Sequence, residues 1–170
     1  MFKSQFMEQF SEVVARRHNG PIVPLRSVLA QPDSGEWGEE DNDGSGVKVL
    51  RTANFTDFGS IDYGDVVSRK IDSRKIERKA LQPGDILIEK SGGTDSKPVG
   101  RVVLFRGYPE TVLFNNFTAL LRTKCASLNR GYLFAYLYVS YWNGSTRPYC
   151  WRRANSATQE SEIHRQSRSS

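Results

Sequence analysis

The segment from Leu81 to Arg122 constrains the fold of this chain more than any other part of the sequence. It contains short apolar runs separated by a Pro-Gly pair, a polar glycine-rich loop and an Asn-Asn pair. Short apolar runs bounded by such turn residues are typical of β-strands. The sequence therefore predicts four closely spaced strands here, at Asp85–Ile88, Arg101–Phe105, Val112–Phe114 and Phe117–Leu121.

Other patterns predict a helix near each end and further strands between them. Apolar residues at i, i+4 spacing indicate an amphipathic helix from about Lys3 to Arg17, and an aromatic-rich helical pattern covers Leu128–Trp142. Val47–Thr52 alternates between apolar and polar residues like a half-buried strand, and the basic segment Arg69–Lys79 favours a charged surface helix or loop. The sum predicts an α+β fold of short mixed strands with long loops and a helix at each end.

Length and charge indicate one domain that is only mildly basic. The chain has 170 residues, of which 38% are hydrophobic and 25% charged, as is typical of a soluble globular domain. The net charge is +5, but the last 24 residues alone hold five Arg and two Glu. We therefore expect an amphipathic helix within residues 1–20, a folded domain over 21–145 and a disordered tail over 146–170.

Several classes of protein are disfavoured by what the sequence lacks. Cys125 and Cys150 do not have the spacing of a zinc site, so we expect no bound metal. The N-terminal segment lacks the apolar run of a signal peptide, and no stretch reaches the 18 apolar residues typical of a membrane span. The sequence therefore predicts a cytoplasmic protein that does not enter the membrane.

The patterns for catalysis are also weak. Asp85 followed by Glu89-Lys90 is similar to a nuclease pattern, but adjacent strand residues point to opposite faces, so Glu89 and Lys90 cannot both line one metal site. The two histidines, His18 and His164, have no nucleophile motif near them, and neither a phosphate-binding loop nor a dinucleotide-binding glycine motif occurs. We predict that the chain is not an enzyme and has no catalytic residues.

The glycine-rich loop suggests anion binding instead. Backbone N–H groups, a hydroxyl and cations in one loop can hold a phosphate oxygen, and the residues of this kind are Lys90, Ser91, Gly92, Gly93, Lys97 and Arg101. Reading a DNA sequence requires Arg, Asn or Gln side chains that pair with base edges. Residues of those types are Arg51, Asn54, Asn115, Asn116 and Arg122. For each of them a turn cap or an ordinary surface charge is the alternative, and Asn115-Asn116 also fits a simple turn.

Four segments in this order carry a resemblance to a known family. They are VKVLRTANFTDFGSIDYGDVV, LQPGDILIEKSGGTDSKPVGRVVLF, LFNNFTALLRTK and the helix GYLFAYLY. Together, over roughly Pro24 to Ser145, they resemble a target recognition domain of the specificity subunit of type I restriction–modification systems. The combination of the G-D-I-L-I-E-K strand with the upstream R-T-A-N-F segment and the F-N-N-F strand is more specific than any one of them.

The resemblance implies a non-catalytic subunit that recognises one part of a bipartite site in double-stranded DNA. Such a subunit assembles with modification subunits, which bind S-adenosylmethionine and methylate adenine, and with restriction subunits that cleave. The chain itself would then need no cofactor. Complete specificity subunits have two recognition domains separated by long helices, whereas this sequence has one, which leaves a self-associating half-subunit and a truncated remnant as alternatives. A structural or protein-interaction fragment without DNA binding is the remaining alternative.

Overall fold

The computed structural model describes residues 24–30, 33–94, 96–124 and 128–145, together with Gln5 and Glu8. The helix predicted near the N-terminus lies outside the described residues except for those two positions. The tail predicted over 146–170 and both cysteines lie outside them as well. The described part contains two α-helices and two sheets of short strands, so the predicted α+β class is confirmed.

The elements follow the chain in a simple order. The strands are β1 (Asp33–Ser34), β2 (Glu39–Glu40), β3 (Val47–Leu50), β4 (Val67–Lys70), β5 (Ile86–Glu89), β6 (Val102–Leu104), β7 (Val112–Phe114) and β8 (Thr118–Leu121). The helices are α1 (Ser73–Lys79) and α2 (Arg130–Trp142), with 3-10 turns at Leu25–Ser27 and Thr52–Asn54. All four strands predicted between Leu81 and Arg122 are present, with ends that differ by one residue at most.

The strands divide between two four-stranded sheets in the described part of the chain. The first sheet has the order β1-β8-β5-β6 and is antiparallel throughout. The second has the order β2-β4-β3-β7, and β3 and β7 run parallel. Because β7 belongs to the second sheet and β8 to the first, the short segment 115–117 crosses from one sheet to the other.

The first sheet is buried on both faces because its strands alternate between two cores. Leu87 packs with Leu50 and Phe114 in the core between the sheets. Its neighbour Ile86 points the other way and packs with Leu133 and Leu137 of α2. The aromatic helix predicted over Leu128–Trp142 is thus a core helix. In the described residues no helix is long and apolar enough to cross a membrane.

The basic segment forms a helix whose charges are largely neutralised. Asp72 caps the N-terminus of α1 by accepting a hydrogen bond from the backbone N–H of Arg74 at 3.0 Å. Lys79 is buried, and its Nζ donates to Glu36 Oε1 at 2.6 Å and to the Ser34 carbonyl oxygen at 2.6 Å. The hydrogen bond from Lys79 holds the pKa of Glu36 below its ordinary value. Through these contacts of Lys79, α1 holds β1 and the loop after it in place.

Candidate nucleic-acid interface

A cleft of about 320 Å³ opens where β3 and β7 end beside each other. Leu50 pairs with Phe114 in the parallel register, so the next residues, Arg51 and Asn115, are neighbours. The backbone N–H of Asn115 donates to the carbonyl oxygen of Leu50 at 2.9 Å. The cleft is lined by Trp37, Arg51, Thr52, Ala53, Asn115, Asn116 and Phe117. The structure thus brings three residues of the predicted site, Arg51, Asn115 and Asn116, into one place.

A tight turn lines part of the cleft. The backbone N–H and the Oγ1 of Thr118 both donate to the Asn115 carbonyl oxygen, at 3.0 and 2.8 Å. Asn116 and Phe117 therefore lie at the tip of the turn, and the Phe117 side chain is 48% exposed. Asn115-Asn116 does form a turn, as one interpretation of the sequence has it, but this turn also lines the cleft.

Trp37 also lines the cleft. The Arg69 guanidinium lies 4.4 Å from the centre of the Trp37 ring, and Arg69 Nε donates to the Trp37 carbonyl oxygen at 3.1 Å. The backbone N–H of Glu36 donates to the Phe114 carbonyl oxygen at 2.8 Å, which holds this loop against the end of β7. The sequence analysis did not include Trp37 and Phe117 in the site, because the sequence does not indicate whether an aromatic residue in a loop is exposed.

Two polar atoms of the cleft residues are buried without a hydrogen-bond partner among the described residues. They are Asn115 Oδ1 and Arg51 Nε. Asn115 is only 4% exposed, whereas Arg51 also pairs its Nη2 with Asp65 Oδ2 at 2.5 Å. An unsatisfied buried polar atom costs about 1–3 kcal/mol, so its retention needs an explanation such as a ligand. Both atoms are enclosed by protein and are not exposed to the open cleft.

Asn54 has a structural role in place of the base contact that the sequence analysis considered. Its side chain is buried, and Oδ1 accepts from the Arg51 backbone N–H at 2.8 Å. Its Nδ2 donates to the carbonyl oxygens of Asp62 and Asp65, both at 3.0 Å. All of these bonds are internal, so Asn54 fixes the 3-10 turn that follows Arg51 and positions one wall of the cleft.

Arg101 likewise has a structural role, because it contacts the backbone next to the cleft. Its Nε and Nη2 donate to the two carboxylate oxygens of Glu89 at 2.9 and 3.0 Å, and Glu89 is 2% exposed. This pairing raises the pKa of Arg101 above its ordinary value. The guanidinium also donates to the Thr52 and Phe55 carbonyl oxygens at 3.3 and 3.4 Å. The assignment of Arg101 to phosphate binding is corrected accordingly, because its donors are directed into the protein.

Arg122 is committed to a second buried ion pair. Its Nε and Nη2 donate to the carboxylate of Asp85 at 2.9 and 2.6 Å, and Nη2 also reaches the Ala80 carbonyl oxygen at 2.9 Å. The hydrogen bond to Asp85 raises the pKa of Arg122. Arg122 thus anchors the turn before β5, and we assign it a structural role instead of base recognition. Both carboxylates of the nuclease-like pattern, Asp85 and Glu89, therefore sit in arginine ion pairs.

The glycine-rich loop lies partly beside the cleft. The backbone N–H of Lys90 donates to the Phe117 carbonyl oxygen at 2.9 Å, and its exposed Nζ donates to Ser34 Oγ at 2.6 Å. Lys97 lies further along the loop and pairs with Asp57 at 3.3 Å. Gly92 has a φ of +89°, which favours glycine, and it is exposed. Ser91 and Gly93 complete the loop, and a Cβ at Gly93 would come within 2.5 Å of the Val99 nitrogen.

Asn54 and Asn115 form a matched pair for a stability test, because both are buried and only one is fully bonded. Asn54→Ala leaves the Arg51 N–H and the Asp62 carbonyl oxygen without this partner, while the Asp65 carbonyl oxygen keeps its bond from Arg51 Nη2, and we expect the free energy of unfolding to fall by about 2–4 kcal/mol. Asn115→Ala removes an acceptor that has no donor, so the expected loss is below about 1 kcal/mol. Urea unfolding of both variants measures the difference, and equal losses would contradict the assignment of roles.

Comparison with known proteins identifies solved structures with a similar fold. No family model matches the chain, and no curated protein sequence matches it. Among solved structures, the HsdS subunit from Thermoanaerobacter tengcongensis is similar over 81% of this chain and 33% of its own, with 21% identity and a TM-score of 0.54.

A second structure comes from work on complex assembly and conformational transition of the type I R-M system. It matches over 80% of this chain and 34% of its own, with 20% identity and a TM-score of 0.54. The present chain therefore spans about a third of the length of these structures. The described residues share their α+β fold with part of these two structures, one of which is an HsdS subunit, and this agrees with the resemblance that the sequence motifs indicate.

Proposed function

We propose that this chain is a DNA sequence-recognition module, a specificity subunit or half-subunit of a type I restriction–modification system. The observation that carries the proposal is the likeness of its fold, over 81% of the chain, to an HsdS subunit. In this role the chain carries no chemistry of its own and directs methylation and cleavage by partner subunits. Double-stranded DNA is its ligand, and S-adenosylmethionine is bound by the modification subunit.

The cleft and the adjoining loop supply suitable chemistry for DNA recognition. Lys90 lies next to the Phe117 turn and can contact phosphate beside the cleft. Phosphate contacts give affinity and register, whereas groups in the cleft that complement base edges give specificity. One domain fits one part of a bipartite site, and we propose that a second copy or a further recognition domain reads the other part.

Binding assays on randomised duplexes test this proposal, with and without added modification subunit. We expect a shifted complex with a preferred sequence, and an affinity that falls as salt increases because counterions are released. The absence of any sequence preference in both conditions would overturn it. A folded fragment that no longer binds DNA is the alternative, and this fragment would fail to bind while unfolding cooperatively.

Lys90 offers a sharper version of the same test. Lys90→Gln is expected to weaken binding to all duplexes alike and to reduce the slope of log affinity against log salt by about 1. Lys124→Gln is the matched control, because Lys124 is also exposed but follows the opposite end of β8. Affinity measured from low to moderate salt distinguishes them. Equal effects of the two substitutions would place the phosphate contact elsewhere. Arg101 is unsuitable for this purpose because it supports the fold.

A further inference from the structure

The side of α2 that faces away from the first sheet is buried at Ala135. Leu133 and Leu137 pack in one core with Ile86 of that sheet. Ala135 lies two residues from each leucine, and residues two apart in an α-helix point about 200° apart, so Ala135 faces away from the sheet. It is nevertheless only 9% exposed, although among the described residues it packs in neither hydrophobic core. Ala135 therefore has a cover other than the first sheet.

The same side of α2 carries two exposed aromatic side chains. Tyr132 and Tyr136 lie one turn apart, and both are exposed. Ala135 lies three residues after Tyr132. Val139, which is also buried, lies three residues after Tyr136, so all four residues share one face of the helix. A face with a small residue between larger ones accepts the side-chain ridge of a second helix.

The chain enters the domain beside α2. Leu29 packs in the same core as Leu133 and Leu137, so the residues that precede it are tethered to the α2 side of the first sheet. A helix from Lys3 to Arg17, as the sequence predicts, has a length of about 22 Å, and α2 with its 13 residues has a length of about 20 Å. Residues 18–23 can span up to about 20 Å between the two helices. The N-terminal segment is therefore long enough to cover α2 and close enough to reach it.

The N-terminal segment has the apolar side that such a cover requires. Phe6, Phe10 and Val14 recur every four residues, and Glu8 lies two residues from both phenylalanines, on the opposite side of the predicted helix. Gln5 and Glu8 are helical and exposed. A helix of about 15 residues is only marginally stable alone in water, and each covered phenylalanine removes about 150–250 Å² from water. The helical state of Gln5 and Glu8 therefore indicates a packed helix.

We propose that the N-terminal segment packs as an amphipathic helix on the face of α2 that carries Ala135 and Val139, and that it adds a helical layer to the domain. Phe6 and Phe10 lie over Ala135, and the polar side with Glu8 faces solvent. The layers then follow in the order second sheet, first sheet, α2 and N-terminal helix. The chain itself closes this face, so neither a second copy nor a modification subunit docks there. Such packing is independent of whether the domain binds DNA.

Amide hydrogen exchange of the full chain tests this packing. We expect the amides of residues 3–17 to exchange about 100-fold more slowly than those of a synthetic peptide of residues 1–20. Phe10→Asp places a charge on the apolar side of the helix, so it should abolish this protection. Gln5→Asp is the matched control, because it introduces the same residue at an exposed position of the same helix. We expect this variant to retain most of the protection.

Substitutions in α2 identify the surface that the segment covers. Ala135 faces away from the sheet, so Ala135→Glu should abolish the protection of residues 3–17 while the amides of β5 and β8 stay protected. Tyr136→Ala is the milder variant, because this side chain is exposed and its removal leaves the core beneath α2 intact. It should speed exchange in residues 3–17 by about 5- to 10-fold. If Ala135→Glu also exposes β5 and β8, the result for Tyr136→Ala decides.

Sedimentation at several protein concentrations distinguishes the chain's own segment from that of a second copy. We expect the protection of residues 3–17 to be the same in dilute and concentrated samples, and to be present in the monomer. Protection that occurs only in a dimer would overturn the proposal in favour of a second copy. Unprotected amides in the wild-type chain, or unchanged protection in both Phe10→Asp and Tyr136→Ala, would overturn it as well.

Discussion

Glu89→Ala is expected to lower the free energy of unfolding by about 3–5 kcal/mol, the usual cost of removing one partner from a buried ion pair. Glu89 is 2% exposed and accepts both hydrogen bonds of the Arg101 guanidinium. Its removal leaves that cation in a half-buried position without a counter-charge. The contacts of Arg101 with the Thr52 and Phe55 carbonyl oxygens would then weaken as well.

Urea unfolding measures this loss, and the same loop provides a control. Lys97 and Asp57 form an ion pair at 3.3 Å, but their side chains are 56% and 44% exposed. Such exposed pairs contribute about 0–1 kcal/mol, so Lys97→Ala should change stability by no more than that. Similar losses for Glu89→Ala and Lys97→Ala would show that the Glu89–Arg101 pair is solvated and does not support the cleft.

The burial of Glu89 can be predicted from the sequence, whereas its pairing with Arg101 cannot. Leu87 and Glu89 lie on the same face of one strand, so the burial of Leu87 also buries the carboxylate. A buried carboxylate requires a partner, but the partner depends on register. Ile88 pairs with Val102, which places Arg101 beside Glu89. The sequence identifies Arg101 as a cation near a loop, and only the strand register turns it towards the interior.

The strands themselves were predictable because apolar runs between turn residues have few alternatives. Their division between two sheets was not, because β6 and β7 are equally apolar and either could pair with a neighbour in sequence. The parallel pairing of β7 with β3 joins residues more than sixty positions apart. The strands β1 and β2 are acidic, with no apolar alternation, and exist because a partner strand provides the hydrogen bonds.

The candidate site was predicted in its residue types but not in its arrangement. The sequence analysis predicts base contacts for Arg51, Asn115 and Asn116 because of their side-chain types. The parallel ends of β3 and β7 bring these three residues together. Asn54 has the same chemistry as Asn115, yet its bonds are all internal. Side-chain type therefore cannot separate a candidate DNA-binding asparagine from a structural one. Both asparagines are buried, and only their hydrogen bonds differ.

Gly35→Ala is expected to disturb both stability and recognition, because Gly35 packs against the backbone that forms the cleft. A Cβ at this position would lie 2.1 Å from the Asn115 carbonyl oxygen and 2.2 Å from that of Phe114. Neither atom belongs to a flexible side chain, so the loop that carries Trp37 must move away from the end of β7. We expect a loss of about 3 kcal/mol in the free energy of unfolding, at the upper end of overpacking costs.

The same displacement changes the cleft that Trp37 and Phe117 line, so Gly35→Ala should also lose sequence preference in DNA binding while keeping salt-dependent affinity. Gly64→Ala is the control, because its Cβ would meet only the Asp62 Oδ1 atom at 3.2 Å, and a side-chain carboxylate can turn aside. Its expected loss is about 0.5 kcal/mol or less. Of the two glycines, only Gly35 lies against the carbonyl groups of Phe114 and Asn115. Equal behaviour of the two variants in urea unfolding and in duplex selection would therefore mean that the Gly35 loop does not define the cleft.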